Sequence, residues 1–246
     1  MKLIVLGSSA TYPIPGRACS GYLVREADTN ILLDLGTGVL SNLFRWVDPF
    51  DLDAVIITHL HTDHFLDIYP LRYYLQFGEG ALPLRILAPA GAEEFLTRIV
   101  SDEGRKKFLE VFEFGTIWGG SSLEIGDCRL EFFEVPHLIP TYGVAVEDGS
   151  RIVYSSDCSY SARLVDAARR VDMLICEAML QEKDAHLQVG HLSAGLAGKI
   201  AREADVKRLL LTHIWPAYDC SVSKKEAEAF FGGEVILAEE NKSYEI

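Results

Sequence analysis

Short apolar runs rich in Val, Ile and Leu recur along this chain, closed by turn signals and interleaved with helical patterns, and this order most limits what it can fold into. The runs are LIVLG (3 to 7), GYLV (21 to 24), NILLDLG (30 to 36), AVIIT (54 to 58), LRILAP (84 to 89), CRLEFFEV (128 to 135), YGVAVE (142 to 147), SRIVYSS (150 to 156), DMLICEA (172 to 178), RLLLTH (208 to 213) and EVILA (234 to 238). Helical patterns cover about 38 to 47, 65 to 77, 91 to 112, 160 to 170, 193 to 204 and 224 to 230. The first half runs to about residue 120, and the second resumes the same style from SSLEIGD without a sequence repeat. Two sheets packed face to face with helices outside accommodate the order. EDGSR (147 to 151) is a hairpin signal in which Asp148 and Gly149 suit positive φ.

Nothing resembles a linker, so residues 1–246 are expected to form one domain. Hydrophobic residues make up 49% and charged residues 24%, enough to build a substantial core and to exclude disorder. No run is long enough to span a membrane, and MKLIVLGSS is too short in its apolar part for a signal peptide. The five cysteines are scattered without CxxC spacing, and the expectation is free thiols in the cytoplasm. A formal charge of −13 argues against a nucleic-acid binder that relies on net charge, although a pair of bound cations attracts an anion that the wider surface repels.

The stretch THLHTDHFLD (58 to 67) holds three of the seven histidines. It is either a polar surface turn or a metal cage. A buried strand runs straight into it, so His59 and His61 point to one side while Asp63 and His64 follow where a helix begins. Further ligands should also close apolar strands, and three residues do: His137 after LEFFEVP, Asp157 after RIVYSS, and His213 after RLLLT. Five histidines and two aspartates are too many for one tetrahedral ion and suit two ions sharing a carboxylate. Absence of cysteine from the set points to a catalytic centre, since closed structural sites favour thiolate.

With HxHxDH, a lone His, a strand-end Asp and a late THxx in place, the sequence resembles the metallo-β-lactamase fold superfamily over its whole length, and LLDLGTG (32 to 38) is similar to that family's DxGxG turn. The resemblance implies an α+β (α/β) fold, a four-layer αββα sandwich of two mixed sheets, with ligands along one sheet edge. It also implies a metal held by His59, His61 and His137, a second held by Asp63, His64 and His213, and Asp157 bridging them. The β-lactamases of this fold commonly carry Cys at the bridging place, so antibiotic hydrolysis is not expected.

His191, in GHLSAGLAG ahead of a helix that Ser193 can cap, resembles the extra histidine of the ribonuclease Z branch, and Glu177 in ICEAML resembles the glutamate of its HEAT segment. That branch implies His191 assisting the leaving group with Glu177 orienting it, and Asp63 is counted with them among the catalytic residues. Arg17 in GSSATYPIPGRACSGYLV matches a loop arginine that contacts nucleic acid in the branch, and Tyr218 in IWPAYD is kept as well. Three departures stand against tRNA. The long tRNA-gripping arm is missing between His137 and Asp157, Ala18 replaces an Asn, and Ala217 stands where the branch tends to have Arg. Asp67 occupies a place where Gly is more usual, and its role is open between a hydrogen bond to a ligand histidine and a plain helix N-terminal Asp. His186 carries no motif.

The expected reaction is hydrolysis of a small phosphodiester, a cyclic nucleotide or an oligonucleotide end. Two divalent ions, zinc first with manganese or iron as alternatives, lower the pKa of a shared water towards ~7. The rivals are tRNA 3′-processing, a lactonase in which Tyr160 hydrogen-bonds the ester carbonyl, and a non-catalytic metal scaffold. Glyoxalase II and flavodiiron chemistry would need modules the sequence lacks. The aromatic-rich IYPLRYYLQF (68 to 77) supplies either core or a dimer surface, and a homodimer enters only through the resemblance.

Overall fold

A computed structural model describes residues 1–80, 83–187 and 190–246. Seven strands form the first sheet: β1 (Lys2–Gly7), β2 (Gly21–Glu26), β3 (Thr29–Leu33), β4 (Ala54–Ile56), β5 (Leu84–Pro89) and β6 (Phe112–Ile117), joined at the β1 edge by β14 (Lys242–Glu245). The second sheet runs β7 (Ser122–Ile125), β8 (Cys128–Val135), β9 (Thr141–Glu147), β10 (Arg151–Tyr154), β11 (Met173–Glu177), β12 (Arg208–Thr212) and β13 (Glu234–Leu237). Each sheet is antiparallel in one half and parallel in the other. Helices α1 (Val39–Leu43), α2 (Ile68–Phe77), α3 (Ala92–Thr97) and α4 (Asp102–Val111) cover the first sheet, and α5 (Ala162–Ala167), α6 (Ala194–Glu203) and α7 (Cys220–Phe231) cover the second. The result is the expected αββα sandwich.

Period-two alternation divides each central strand between two cores. Leu3 and Val5 of β1 and Ile31 and Leu33 of β3 pack between the sheets against Leu130, Phe132, Val144 and Ile175. Their neighbours Ile4, Leu6 and Leu32 face the helices with Leu43, Ile68 and Leu71. Both faces are buried, which is why these strands read as continuous apolar runs. Full burial of such a side chain contributes ~1.5–3 kcal/mol, so the strands form a stiff frame on which the loops at their ends can hold unusual backbone.

The parallel order sets the position of those loops. β4, β8, β10, β11 and β12 deliver their carboxyl ends to the same edge of the sandwich, and ligands of open α/β sheets sit beyond such ends.

Several sequence expectations need correction. The pattern over 91 to 112 is two helices, because Ser101 caps α4 by accepting from the Gly104 amide, and Phe112 already belongs to β6. β6, β7 and β14 lie outside the expected strand runs; β6 has mixed burial, β7 buries only Ile125, and β14 is short with only Tyr244 buried. The run 30 to 36 stops being a strand at Leu33, and in the hairpin turn only Gly149 takes positive φ, not Asp148. The space between His137 and Asp157 is filled by β9, β10 and their turn, so no arm is present there. No helix among the described residues is long and apolar enough to cross a membrane.

Candidate metal centre

All seven predicted donors converge. His59, His61, His137 and Asp157 present ligand atoms within 4.8 Å of one another, as do Asp63, His64, Asp157 and His213. Asp157 belongs to both sets, and its Oδ2 lies 3.6 Å from His59 Nε2, 3.2 Å from His64 Nε2 and 3.3 Å from His213 Nε2. Asp63 Oδ2 lies 3.7 Å from His64 Nε2 and 3.9 Å from His213 Nε2, and also accepts from the Thr11 amide at 2.9 Å. His61 Nδ1 and His137 Nε2 face each other at 3.1 Å.

The surrounding hydrogen bonds fix which nitrogen four of the five histidines offer. Nδ1 is engaged in four of them: His59 with Thr58 Oγ1 at 3.1 Å, His64 with Asp34 Oδ2 at 2.7 Å, His137 with the Gly190 carbonyl at 2.8 Å, and His213 with Ser20 Oγ at 2.9 Å. Nε2 is left for the centre in every case, which is how histidine ligands are usually oriented. His59 Nε2, His64 Nε2 and Asp157 Oδ1 are buried without a hydrogen-bond partner. Orphaned buried polar atoms are costly, and three of them in one donor cluster fit a cation.

Electrostatics point the same way. Burial, and then repulsion from neighbouring imidazoles, holds His59 well below its ordinary value and also lowers His61. Burial lowers His213 as well, against the pull of Asp157. Neutral imidazole is the ligating form. Burial would raise the Asp157 carboxyl, but the His213 and His64 imidazoles overcome it and hold it well below the usual carboxylate range. Burial likewise opposes ionisation of His64, yet Asp157, Asp34 and Asp63 push it well above its ordinary value. Three carboxylates around one buried ring call for positive charge, which a divalent ion in the donor cluster would supply.

Asp34 is the residue that sequence reasoning passed over. It sits at φ 58° just after β3, fully buried, and accepts four hydrogen bonds: Thr58 N at 2.8 Å on Oδ1, and His64 Nδ1 at 2.7 Å, Tyr154 OH at 2.8 Å and Thr58 Oγ1 at 3.0 Å on Oδ2. A buried Asp closing an apolar strand in DLGTG was the available signal. Asp67, whose role the sequence leaves open, accepts from the Gly38 and Leu40 amides at 2.9 Å and ties down the start of α1. Gly36 cannot be replaced cheaply, because a Cβ there would lie 2.0 Å from the Asp63 carbonyl oxygen.

Asp34→Asn is a sharp test of this support. An amide has one acceptor oxygen and turns an NH2 group toward donors whichever way it flips. We expect divalent metal affinity to fall ~10- to 100-fold, the usual cost of losing such a partner. Competition with a chromogenic chelator measures it, and unchanged affinity would remove Asp34 from the account.

His191 stands beside the cluster. Its Nδ1 lies 3.0 Å from Glu177 Oε1 and 4.0 Å from Asp157 Oδ2, and its ring centroid is 5.0 Å from that of His137 and 5.6 Å from that of His213. Glu177 is fully buried and is held by the amides of Cys158 (2.9 Å) and Met179 (3.1 Å). Burial disfavours the His191 imidazolium, but Glu177 and then Asp157 outweigh it and raise the group to about 9.

None of the three predicted substrate contacts belongs to the donor sets, although Tyr160 opens onto a cavity with the donor His137. Arg17 donates to the Ile214 carbonyl at 3.1 Å and lines a separate cavity of about 290 Å³ with Cys220 and Glu240. The Tyr218 hydroxyl is engaged by Asp184. Tyr160 lines a cavity of about 470 Å³ that it shares with His137 and His191, but its hydroxyl is bound to Glu203 Oε2 at 2.5 Å. A second opening of about 360 Å³ reaches Asp63, Asp157, His191 and His213 past Thr11 and Thr62. His186 is exposed on the turn Glu182–Leu187.

Such donors at the carboxyl edge of a four-layer sandwich, open to solvent on two sides, define the metal-dependent hydrolases of the metallo-β-lactamase fold. The chain belongs to the beta-lactamase superfamily domain family, whose model matches residues 29–214. It is 33% identical over 247 residues to the probable metallo-hydrolase YhfI of Bacillus subtilis strain 168, with 97% of each chain covered. The crystal structure of that protein superposes with a TM-score of 0.90 at 30% identity over 99% of both chains. Ribonuclease Z of Thermobifida fusca is 28% identical over 97% of this chain and 92% of its own, and the short form of human tRNase Z superposes with a TM-score of 0.83 at 25% identity, covering 100% of this chain and 99% of that one. These relatives place the chain on the ribonuclease Z-like side of the superfamily.

Proposed function

We propose that this chain is a phosphodiesterase with two divalent ions, zinc by first preference, acting on a small phosphodiester such as a cyclic nucleotide or an oligonucleotide end. The observation that carries the reading is His191 held against Glu177 at the margin of the donor cluster. In this reading His59, His61 and His137 hold one ion, Asp63, His64 and His213 the other, and Asp157 both. Bound there, the ions supply Lewis acidity toward the phosphoryl group and lower the pKa of water. The chain's own part is to position the diester and move a proton. His191 donates from Nε2 to the departing oxygen while Glu177 keeps Nδ1 occupied and the ring oriented.

The free state of all five cysteines suits a cytoplasmic setting, and we take residues 1–246 as one hydrolase unit. Precursor tRNA processing is the second reading, favoured by the relatives named ribonuclease Z, although the segment between His137 and Asp157 offers no gripping arm. A lactonase is disfavoured by Tyr160, whose hydroxyl is committed to Glu203. Metal-loaded protein assayed on bis(p-nitrophenyl) phosphate, a precursor tRNA and an acyl lactone separates the readings. Turnover of the diester is expected, and turnover of the lactone alone would overturn the proposal.

A further inference from the structure

His191 lines both openings to the donor cluster, and this gives the site a direction. Because Glu177 holds Nδ1, the proton that reaches the substrate leaves from Nε2 of a ring that lines both openings. The smaller opening is walled by the donors themselves with Thr11 and Thr62, and suits the phosphoryl group. The larger is lined by Leu138, Leu196, Pro136 and the Tyr160 ring, which is 42% exposed. Its volume of about 470 Å³ lies within the range of small-molecule pockets and can hold a nucleoside-sized group. Among the described residues, no Lys or Arg lines either opening. The nearby cations are taken: Lys199 lies 5.4 Å from the Tyr160 ring centre and 3.8 Å from Glu203, and Arg163 pairs with Glu134 at 3.2 Å. Arg17 is in a different cavity.

Resting on the phosphodiesterase reading above, we infer that the larger opening receives the leaving group of the diester as a nucleoside stacked on the Tyr160 ring, and that the site takes substrates with a single phosphate charge. During hydrolysis the P–O bond to the nucleoside breaks with its electron pair remaining on the nucleoside oxygen. That oxygen takes a proton from His191, a new P–O bond forms to the oxygen of water, and the proton lost by water passes through solvent to His191, which ends protonated as it began. A neighbouring phosphate would find no Lys or Arg in the walls of the opening to replace its lost hydration, Lys199 being engaged with the Tyr160 ring and Glu203, which is a cost on binding. Stacking on an aromatic ring is sequence-tolerant and requires the π-face rather than the hydroxyl.

The test compares adenylyl-adenosine, which has one diester and no terminal phosphate, with its 5′-phosphorylated form, in wild type, Tyr160→Ala and Tyr160→Phe. Bis(p-nitrophenyl) phosphate reports separately on the diesterase reading. We expect kcat/KM to drop at least about tenfold when the terminal phosphate is added. Tyr160→Ala should raise KM for adenylyl-adenosine about tenfold with little change in kcat, as expected for a lost stacking contact, and Tyr160→Phe should restore it. Equal use of the two dinucleotides, or a Phe variant as impaired as the Ala variant, overturns the inference while leaving the diesterase intact. Failure of wild type on bis(p-nitrophenyl) phosphate as well removes both.

Discussion

Replacing Asp157 with alanine is expected to abolish hydrolysis and to strip the protein of metal together. No other residue belongs to both four-donor sets, and its Oδ2 stands within 3.6 Å of three imidazole nitrogens. Loss of a supporting hydrogen bond typically costs ~10- to 100-fold in metal affinity, and loss of a shared ligand should exceed that. We expect activity to fall by more than about a hundredfold and elemental analysis of purified variant to find fewer than half the ions of wild type. The change also removes a buried carboxylate that His59, His64 and His213 share, so a circular dichroism spectrum should accompany the assay. A folded Asp157→Ala protein with full metal content would contradict the shared-ligand role.

The second large effect belongs to His191. General acid catalysis contributes ~10²- to 10⁴-fold, so His191→Ala should reduce kcat on an unactivated diester by about that factor. Metal content should stay close to wild type, because His191 lies outside both of the four-donor sets. With p-nitrophenolate, a leaving group that needs little protonation, the loss should be much smaller. The pH profile gives an independent sign. Burial lowers His191, but Glu177 and Asp157 raise it to about 9, so the required imidazolium is present at neutral pH and disappears as pH rises. An alkaline limb is therefore expected in kcat at or below pH ~9, since bound cations offset Asp157 and draw the group down. The limb should vanish in His191→Ala. A limb that survives the substitution would assign the proton to another group.

Four of the seven donors were legible because each follows an apolar strand, and His61, Asp63 and His64 come with the first of them in HxHxDH. His59 follows β4, His137 follows β8, Asp157 follows β10 and His213 follows β12, and strands with aligned carboxyl ends have no alternative but to bring these positions to one edge. The supporting shell was much less visible. Asp34 accepts from residues distant in sequence, Thr58, His64 and Tyr154, so nothing in its local stretch records its partners. Asp67 stays open in the sequence for the complementary reason: its position beside the HxHxDH motif suggests a histidine, whereas its partners are the amides at the start of α1. Asp34, Ser156 and His213 all take positive φ, a conformation that Asp and His tolerate better than most residues but that no periodicity reveals. Arg17 and Tyr218 lie in loops whose direction depends on tertiary contacts, and their matches to a motif did not predict that Ile214 and Asp184 would occupy them. Helix and strand boundaries failed where local capping decided them, as at Ser101.

The most direct measurement is anomalous diffraction at the zinc edge from crystals of the zinc-loaded protein. The account predicts two peaks in the donor cluster, one among His59, His61 and His137 and one among Asp63, His64 and His213, with the Asp157 carboxylate between them. A single peak, or none with the same side chains hydrogen-bonded only to one another, would contradict it.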